Sequence, residues 1–160
     1  MFLISWQRPR FPLGWLLLAA AVCQTLTAAA APLDVLGARR GWSAPVSRTL
    51  ETVFAFAWPW SIALFLPLAL LVFPDGLLPG RFWRATVWFT VLTSPVFVVA
   101  VGADPTQDMG GRTITPWLVL ADHARFAPLW IAEELANLAV LLAAVGGLVL
   151  RYRRGDEQRR

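Results

Sequence analysis

Lysine is absent from these 160 residues, and cysteine, histidine and tyrosine occur once each, as Cys23, His123 and Tyr152. A single cysteine excludes an intramolecular disulfide and leaves the redox compartment undetermined. Cys23 falls inside an apolar block, where a thiol serves as a small packing residue. One histidine and one cysteine also exclude a Cys/His zinc set. The acids around the histidine, Asp104, Asp108 and Asp122, lack the Asp-x-Asp-x-Asp-Gly spacing of a calcium loop, so no metal site is expected. There is no Walker A run and no GxGxxG, and no Ser/His/Asp or Cys/His set with plausible placement. The chain therefore contains no catalytic centre, and nothing in it calls for a cofactor.

Charge is scarce as well. Charged residues make up 15% of the chain, against about 25% in soluble domains, while 58% of residues are hydrophobic. All 14 basic residues are arginine, in an Ala- and Leu-rich background that reflects the codon usage of a GC-rich genome. The net charge of +4 does not point to nucleic acid, because the arginines flank the apolar blocks. Arginines in that position are a topology signal.

What the chain does have is four apolar blocks, each near the length that crosses ~30 Å of hydrocarbon at ~1.5 Å per residue. The expected class is an all-α, polytopic integral membrane protein. Its spans are placed at about 11–31, 53–73, 83–101 and 128–150, followed by a basic tail over 151–160. Phe11–Ala31 has only Gln24, Thr25 and Thr27 as polar interior side chains. A basic start and a small-residue end also describe a secretory signal peptide. Pro32 directly after the block, and the block's length, favour an uncleaved anchor. Pro32–Thr52, with Asp34, Arg39, Arg40, Arg48 and Glu51, reads as a mixed loop.

Val53–Phe73 carries no charge and holds Pro59 and Pro67, where kinks are expected. Trp58 and Trp60 are placed near one end of that span, as an interfacial aromatic belt. Ala85–Val101 is short for a span and borrows Phe82 and Trp83. Alternating the loops puts nine arginines on the side of the termini and five on the other. The positive-inside rule then makes both termini cytoplasmic.

Three segments carry a resemblance. Arg8-Pro9-Arg10-Phe11-Pro12-Leu13-Gly14-Trp15 enters the first span. Leu71-Val72-Phe73-Pro74-Asp75-Gly76-Leu77-Leu78-Pro79, followed by Trp83-Arg84, joins the second to the third. Leu150-Arg151-Tyr152-Arg153-Arg154 and the charged residues after it leave the last. In this order they resemble the N-terminal membrane region of two-component sensor histidine kinases of the actinobacterial type. The Phe-Pro-Asp-Gly-x-Leu-Pro connection is the most specific part. The chain departs from the family pattern in the order Gly80-Arg81-Phe82-Trp83-Arg84, and no further spans precede the Pro-x-Gly-Trp helix. The resemblance implies a sensing or anchoring region whose basic exit would lead to a dimerisation helix and an ATP-binding domain. His123 lies in an outward loop and is not the phospho-accepting histidine of such a kinase.

Physical chemistry supports a cytoplasmic elbow at the same place. Pro74 ends a helix, Asp75-Gly76 turns the chain, Pro79 repeats the stop, and Arg81 and Arg84 meet anionic headgroups. A short connecting loop accounts for the same residues.

The other candidates lie in the last span. Glu133, Glu134 and Asn137 can take up protons, bind a cationic ligand or hydrogen-bond a neighbour such as Gln24. If the helix begins near Trp130, both acids instead sit in its first turn, hydrated and favoured by the helix dipole. Ala139, Ala143 and Gly147 form a small-residue face suited to a homodimer or to packing within the chain. The partners expected are thus the lipid bilayer and a second copy of the chain. The expected function is relay of an envelope or membrane cue to a cytoplasmic output. The alternative is a small stand-alone membrane protein, such as a transporter subunit or scaffold. An enzyme acting through the glutamates is the most distant reading.

Overall fold

Four long helices account for nearly all of the described residues in this computed structural model, which covers 12–73, 80–105 and 115–157. The helices are α1 (Pro12–Arg39), α2 (Ala44–Val72), α3 (Arg81–Gly102) and α4 (Ala127–Glu157), the last preceded by a 3₁₀ turn at His123–Phe126. No strand occurs among the described residues. Each of the four is long and apolar enough to cross a membrane. The chain is an all-α, multi-pass membrane protein.

The interior supports that assignment independently of hydropathy. Buried positions are filled by small residues, including Ala30, Ala55, Ala63, Ala69, Ala100 and Ala144, and by polar ones such as Ser61, Thr90 and Ser94. Large apolar side chains point outward: Trp88 is 67% exposed, Leu92 70% and Leu142 63%. A water-soluble core would reverse this arrangement. Helices in lipid gain nothing from hiding leucine from one another and associate through close backbone approach and hydrogen bonds.

α2 is the central element. It packs against α1 along its whole length, against α3, and through its last segment against α4; α3 and α4 pack on each other. α1 leans on α2 and leaves most of its surface outward. The expected kink in α2 takes the form of a π-helical turn at Ser61–Phe65, between Pro59 and Pro67. There the Leu66 amide bonds the Ser61 carbonyl, five residues back, and the ladder re-forms past the interruption.

The first two helices run beyond the expected spans. The segment 32–52 is not a loop, and only residues 40–43 join α1 to α2. α1 ends in a Schellman motif: Trp42 N–H bonds Gly37 C=O at 2.8 Å, Gly41 N–H bonds Ala38 C=O at 3.3 Å, and Gly41 takes φ +69°. The Trp42 ring folds back over Gly37, where any Cβ would overlap it. Two of the polar residues that suggested a loop are instead turned inward: Asp34 is 1% exposed and Glu51 3%. Because α2 starts at Ala44, Trp58 and Trp60 lie near the middle of the helix rather than near one end of it. α3 does begin at Arg81 and includes Phe82 and Trp83, as its short apolar block required.

Candidate functional site

The antiparallel packing gives the bundle two ends. One carries the α1–α2 and α3–α4 connections; the other carries the start of α1, the α2–α3 connection and the exit of α4. Polar side chains form a layer between them.

The register of α1 on α2 is set by the Gln24 side-chain amide, which donates to the Ser61 hydroxyl. The Ser61 hydroxyl in turn donates to Trp58 C=O at 2.8 Å. Asp34 lies ten residues along α1 from Gln24, and Glu51 lies ten residues back along α2 from Ser61. In an antiparallel pair those steps end at the same level, and both side chains are buried in the interface. Two carboxylates therefore share one layer near the loop end. The expectation that Gln24 would serve Glu133 or Asn137 is corrected by its bond to Ser61.

The second contact joins α3 to the π-helical turn. Pro67 has no N–H, so the Ala63 carbonyl lacks its α-helical donor. The Ser94 hydroxyl lies 2.9 Å from that carbonyl and 2.5 Å from Thr90 C=O on its own helix. It has one proton for the two acceptors. Thr90 bonds Thr86 C=O at 2.8 Å, so this buried stretch of α3 keeps its hydroxyls supplied with partners.

The third contact holds Glu133. α4 begins at Ala127, so Glu133 is the seventh residue of the helix and clear of its first turn. The interfacial placement is corrected accordingly for this residue. Glu133 is 7% exposed and Asn137, one turn on, is 8% exposed, while Glu134 points outward. The Thr93 hydroxyl of α3 donates to the Glu133 carboxyl. The other oxygen, Oε1, is shielded from solvent and has no hydrogen-bond partner. The buried face of α4 runs Glu133, Asn137, Val140, Ala144 and Gly147, the i, i+4, i+7 pattern of a packed helix. Gly147 lies under the Trp83 ring, where a Cβ would overlap it. Of the small residues expected to form one face, Ala139 is exposed, Ala143 is half-buried and Gly147 is taken up inside the chain.

At the loop end the α3–α4 connection is clipped to α2. Arg48 donates to Thr115 C=O at 3.2 Å and to Pro116 C=O at 3.4 Å, and its guanidinium sits 4.1 Å over the Trp117 ring. Trp117 N–H bonds Thr52 Oγ1 at 2.9 Å, and its indole N–H bonds Thr49 Oγ1 at 3.2 Å. His123 completes the join. Its Nε2 lies 2.6 Å from Ala100 C=O, an acceptor at the end of α3, and a carbonyl there requires Nε2–H as the donor. The ring stacks on Trp130, whose indole N–H returns a bond to His123 C=O at 2.9 Å.

The elbow residues Pro74, Asp75, Gly76 and Pro79 lie outside the described residues. Arg81 and Arg84 are exposed in the first turn of α3. No group of three or more His, Cys, Asp or Glu able to hold a metal occurs among the described residues.

Sequence reading missed Asp34, Glu51, the Ser94–Ala63 contact, Thr93 and the Arg48 clip. Spacing alone held the signal for the two acids. Ala30-Asp34-Gly37 and Ser47-Glu51-Ala55-Pro59 are each small residues at helical intervals with a carboxylate between them.

Comparison with family models, with curated proteins and with solved structures returns no match.

Proposed function

We propose that this chain is the membrane-embedded sensing and anchoring region of a signalling protein of the sensor histidine kinase type, resident in the cell membrane with both termini cytoplasmic. The observation that carries the reading is α4. It runs without a break from Ala127 to Glu157, 31 residues, or about 46 Å at ~1.5 Å per residue. That exceeds the ~30 Å hydrocarbon layer, so one rigid element joins the buried Glu133 to the basic exit at Arg151. A shift or rotation of α4 at the loop end is thereby delivered to the terminal end. The Phe73–Pro79 connection and the Arg-rich exit, which resemble those of sensor kinases, support the same reading. A second copy of the chain would pair along the outward stripe of Ala139 and Ala143.

Reading the gene beyond the codon for Arg160 tests the proposal. A dimerisation helix with its own histidine, followed by an ATP-binding domain, is the expected result. A stop at that point with no kinase gene beside it overturns the reading. The three carboxylates buried among the described residues, Asp34, Glu51 and Glu133, favour a second reading, a stand-alone transporter subunit or scaffold. Alanine at these positions with no change in uptake or growth would count against it.

A further inference from the structure

Glu133 differs from the other buried carboxylates in what surrounds it. It sits mid-bundle on α4, 7% exposed, with one hydroxyl donor for one oxygen and nothing for the other. The elements packed on α4 are α3 and the last segment of α2, Leu66–Val72. From α3 the facing groups are neutral: Thr93, with Thr90 and Ser94 on the same buried side. Leu66–Val72 contributes no titratable side chain. On α4 itself Asn137 is neutral and Glu134 points outward. His123 is committed to Ala100, and the described arginines lie toward the two ends of the bundle, at 39, 40, 48, 81, 84 and 125. An ionised carboxylate in such a place would be a desolvated charge with no counter-ion, an arrangement that proteins resolve by neutralising the group.

We propose that Glu133 is a proton-binding site. The carboxyl holds its proton while α3 and α4 are packed through Thr93, and releases it only when the loop end of α4 separates enough to admit water. Proton loss and separation of α4 from α3 are then one event. The continuous helix carries that event to Arg151. This deepens the sensing reading by naming a proton as the ligand. It rests on that reading only for the consequence of binding, since the site itself is tested without any kinase.

The test is labelling of the full chain in lipid vesicles with dicyclohexylcarbodiimide, which adds to protonated carboxyls in apolar surroundings. Cleavage after Arg125 and Arg151 releases the peptide 126–151. Mass spectrometry on the wild type and on Glu134→Gln separates the two glutamates. The expected result is a label on Glu133 that declines as pH is raised, is lost in Glu133→Gln, and persists in Glu134→Gln. In detergent, the wild type loses thermal stability relative to Glu133→Gln as pH rises, because only the wild type gives up a proton when the bundle opens. A Glu133 that stays unlabelled at every pH, or a stability difference that does not move with pH, overturns the proposal.

Discussion

The Ser94 hydroxyl of α3 lies 2.9 Å from the Ala63 carbonyl of α2, at the one acceptor in that turn whose α-helical donor has been replaced by Pro67. Proline creates the vacancy and a neighbouring helix fills it, so the kink in α2 and the α2–α3 contact are one feature. Ser94→Ala should destabilise the bundle by about 1 kcal/mol. That lies between the ~0.6 of an average intramembrane side-chain bond and the ~1–3 of an unsatisfied buried group. In a Pro67→Ala background the amide returns, and the same Ser94→Ala change should cost less. Unfolding in mixed micelles for the four-variant cycle measures this coupling, and additive effects would contradict it.

Gly147 and Trp83 tie the terminal end of α4 to α3. A Cβ at position 147 would overlap the indole ring, so Gly147→Val must displace Trp83. The expected cost is about 1–3 kcal/mol, the range for overpacking. Trp83→Leu in the same chain should recover part of it by vacating the space. A melting temperature for Gly147→Val equal to wild type would show that the ring swings clear without loss.

The α3–α4 connection depends on Arg48 in two ways, through two backbone carbonyls and through the Trp117 ring. Lysine keeps the charge but not the planar fork. Arg48→Lys should therefore loosen the clip, with a loss of about 1 kcal/mol from the cation–π contact and a carbonyl bond together. Thr52→Val removes the acceptor of Trp117 N–H. Hydrogen exchange at the Trp117 amide should accelerate in both variants, while amides in the middle of α3 stay protected. Unchanged exchange at Trp117 would place the restraint elsewhere.

Legibility in the sequence followed from which property a residue expressed. The four helices were plain because length and apolarity are carried by whole blocks, and α3 even declared its need for Trp83. The ends of α1 and α2 were hidden because Asp34 and Glu51 look like loop residues when read as charges. Only the small residues at helical spacing around them, Ala30, Gly37, Ser47 and Ala55, mark them as inward. Glu133 and Asn137 were found because an acid inside an apolar block stands out. Thr93 and Ser94 were not, because a hydroxyl in a membrane helix usually bonds its own backbone, as Thr25, Thr27 and Thr86 do here. Their partners across the bundle depend on register, which no single helix encodes.

That register also predicts a coupling between Asp34 and Glu51. Both are buried at one level of the α1–α2 interface, in the frame fixed by Gln24 and Ser61. Residues that share one environment do not respond independently, and interaction energies of about 0.5–3 kcal/mol are typical. Asp34→Asn and Glu51→Gln should each change stability, and the double variant should differ from their sum by an amount in that range. Strict additivity would mean that the two carboxyls answer to separate surroundings.

The orientation of the bundle rests on arginine, and it can be tested at two exposed sites on opposite ends. Nine arginines accompany the terminal end and five the loop end, a bias from which the positive-inside rule predicts a cytoplasmic terminal end. The lone thiol is removed by Cys23→Ala, since Cys23 lies within α1 and would otherwise be a second target. In that background Ser43→Cys marks the α1–α2 connection, and Tyr152→Cys marks α4 past the bilayer, where the native side chain is 81% exposed. A membrane-impermeant maleimide added to intact cells should modify the thiol at 43 and spare the thiol at 152. The latter should react once the membrane is opened. The opposite pattern would invert the bundle, place the Arg48–Trp117 clip in the cytoplasm, and remove the route by which α4 is proposed to carry a cue inward.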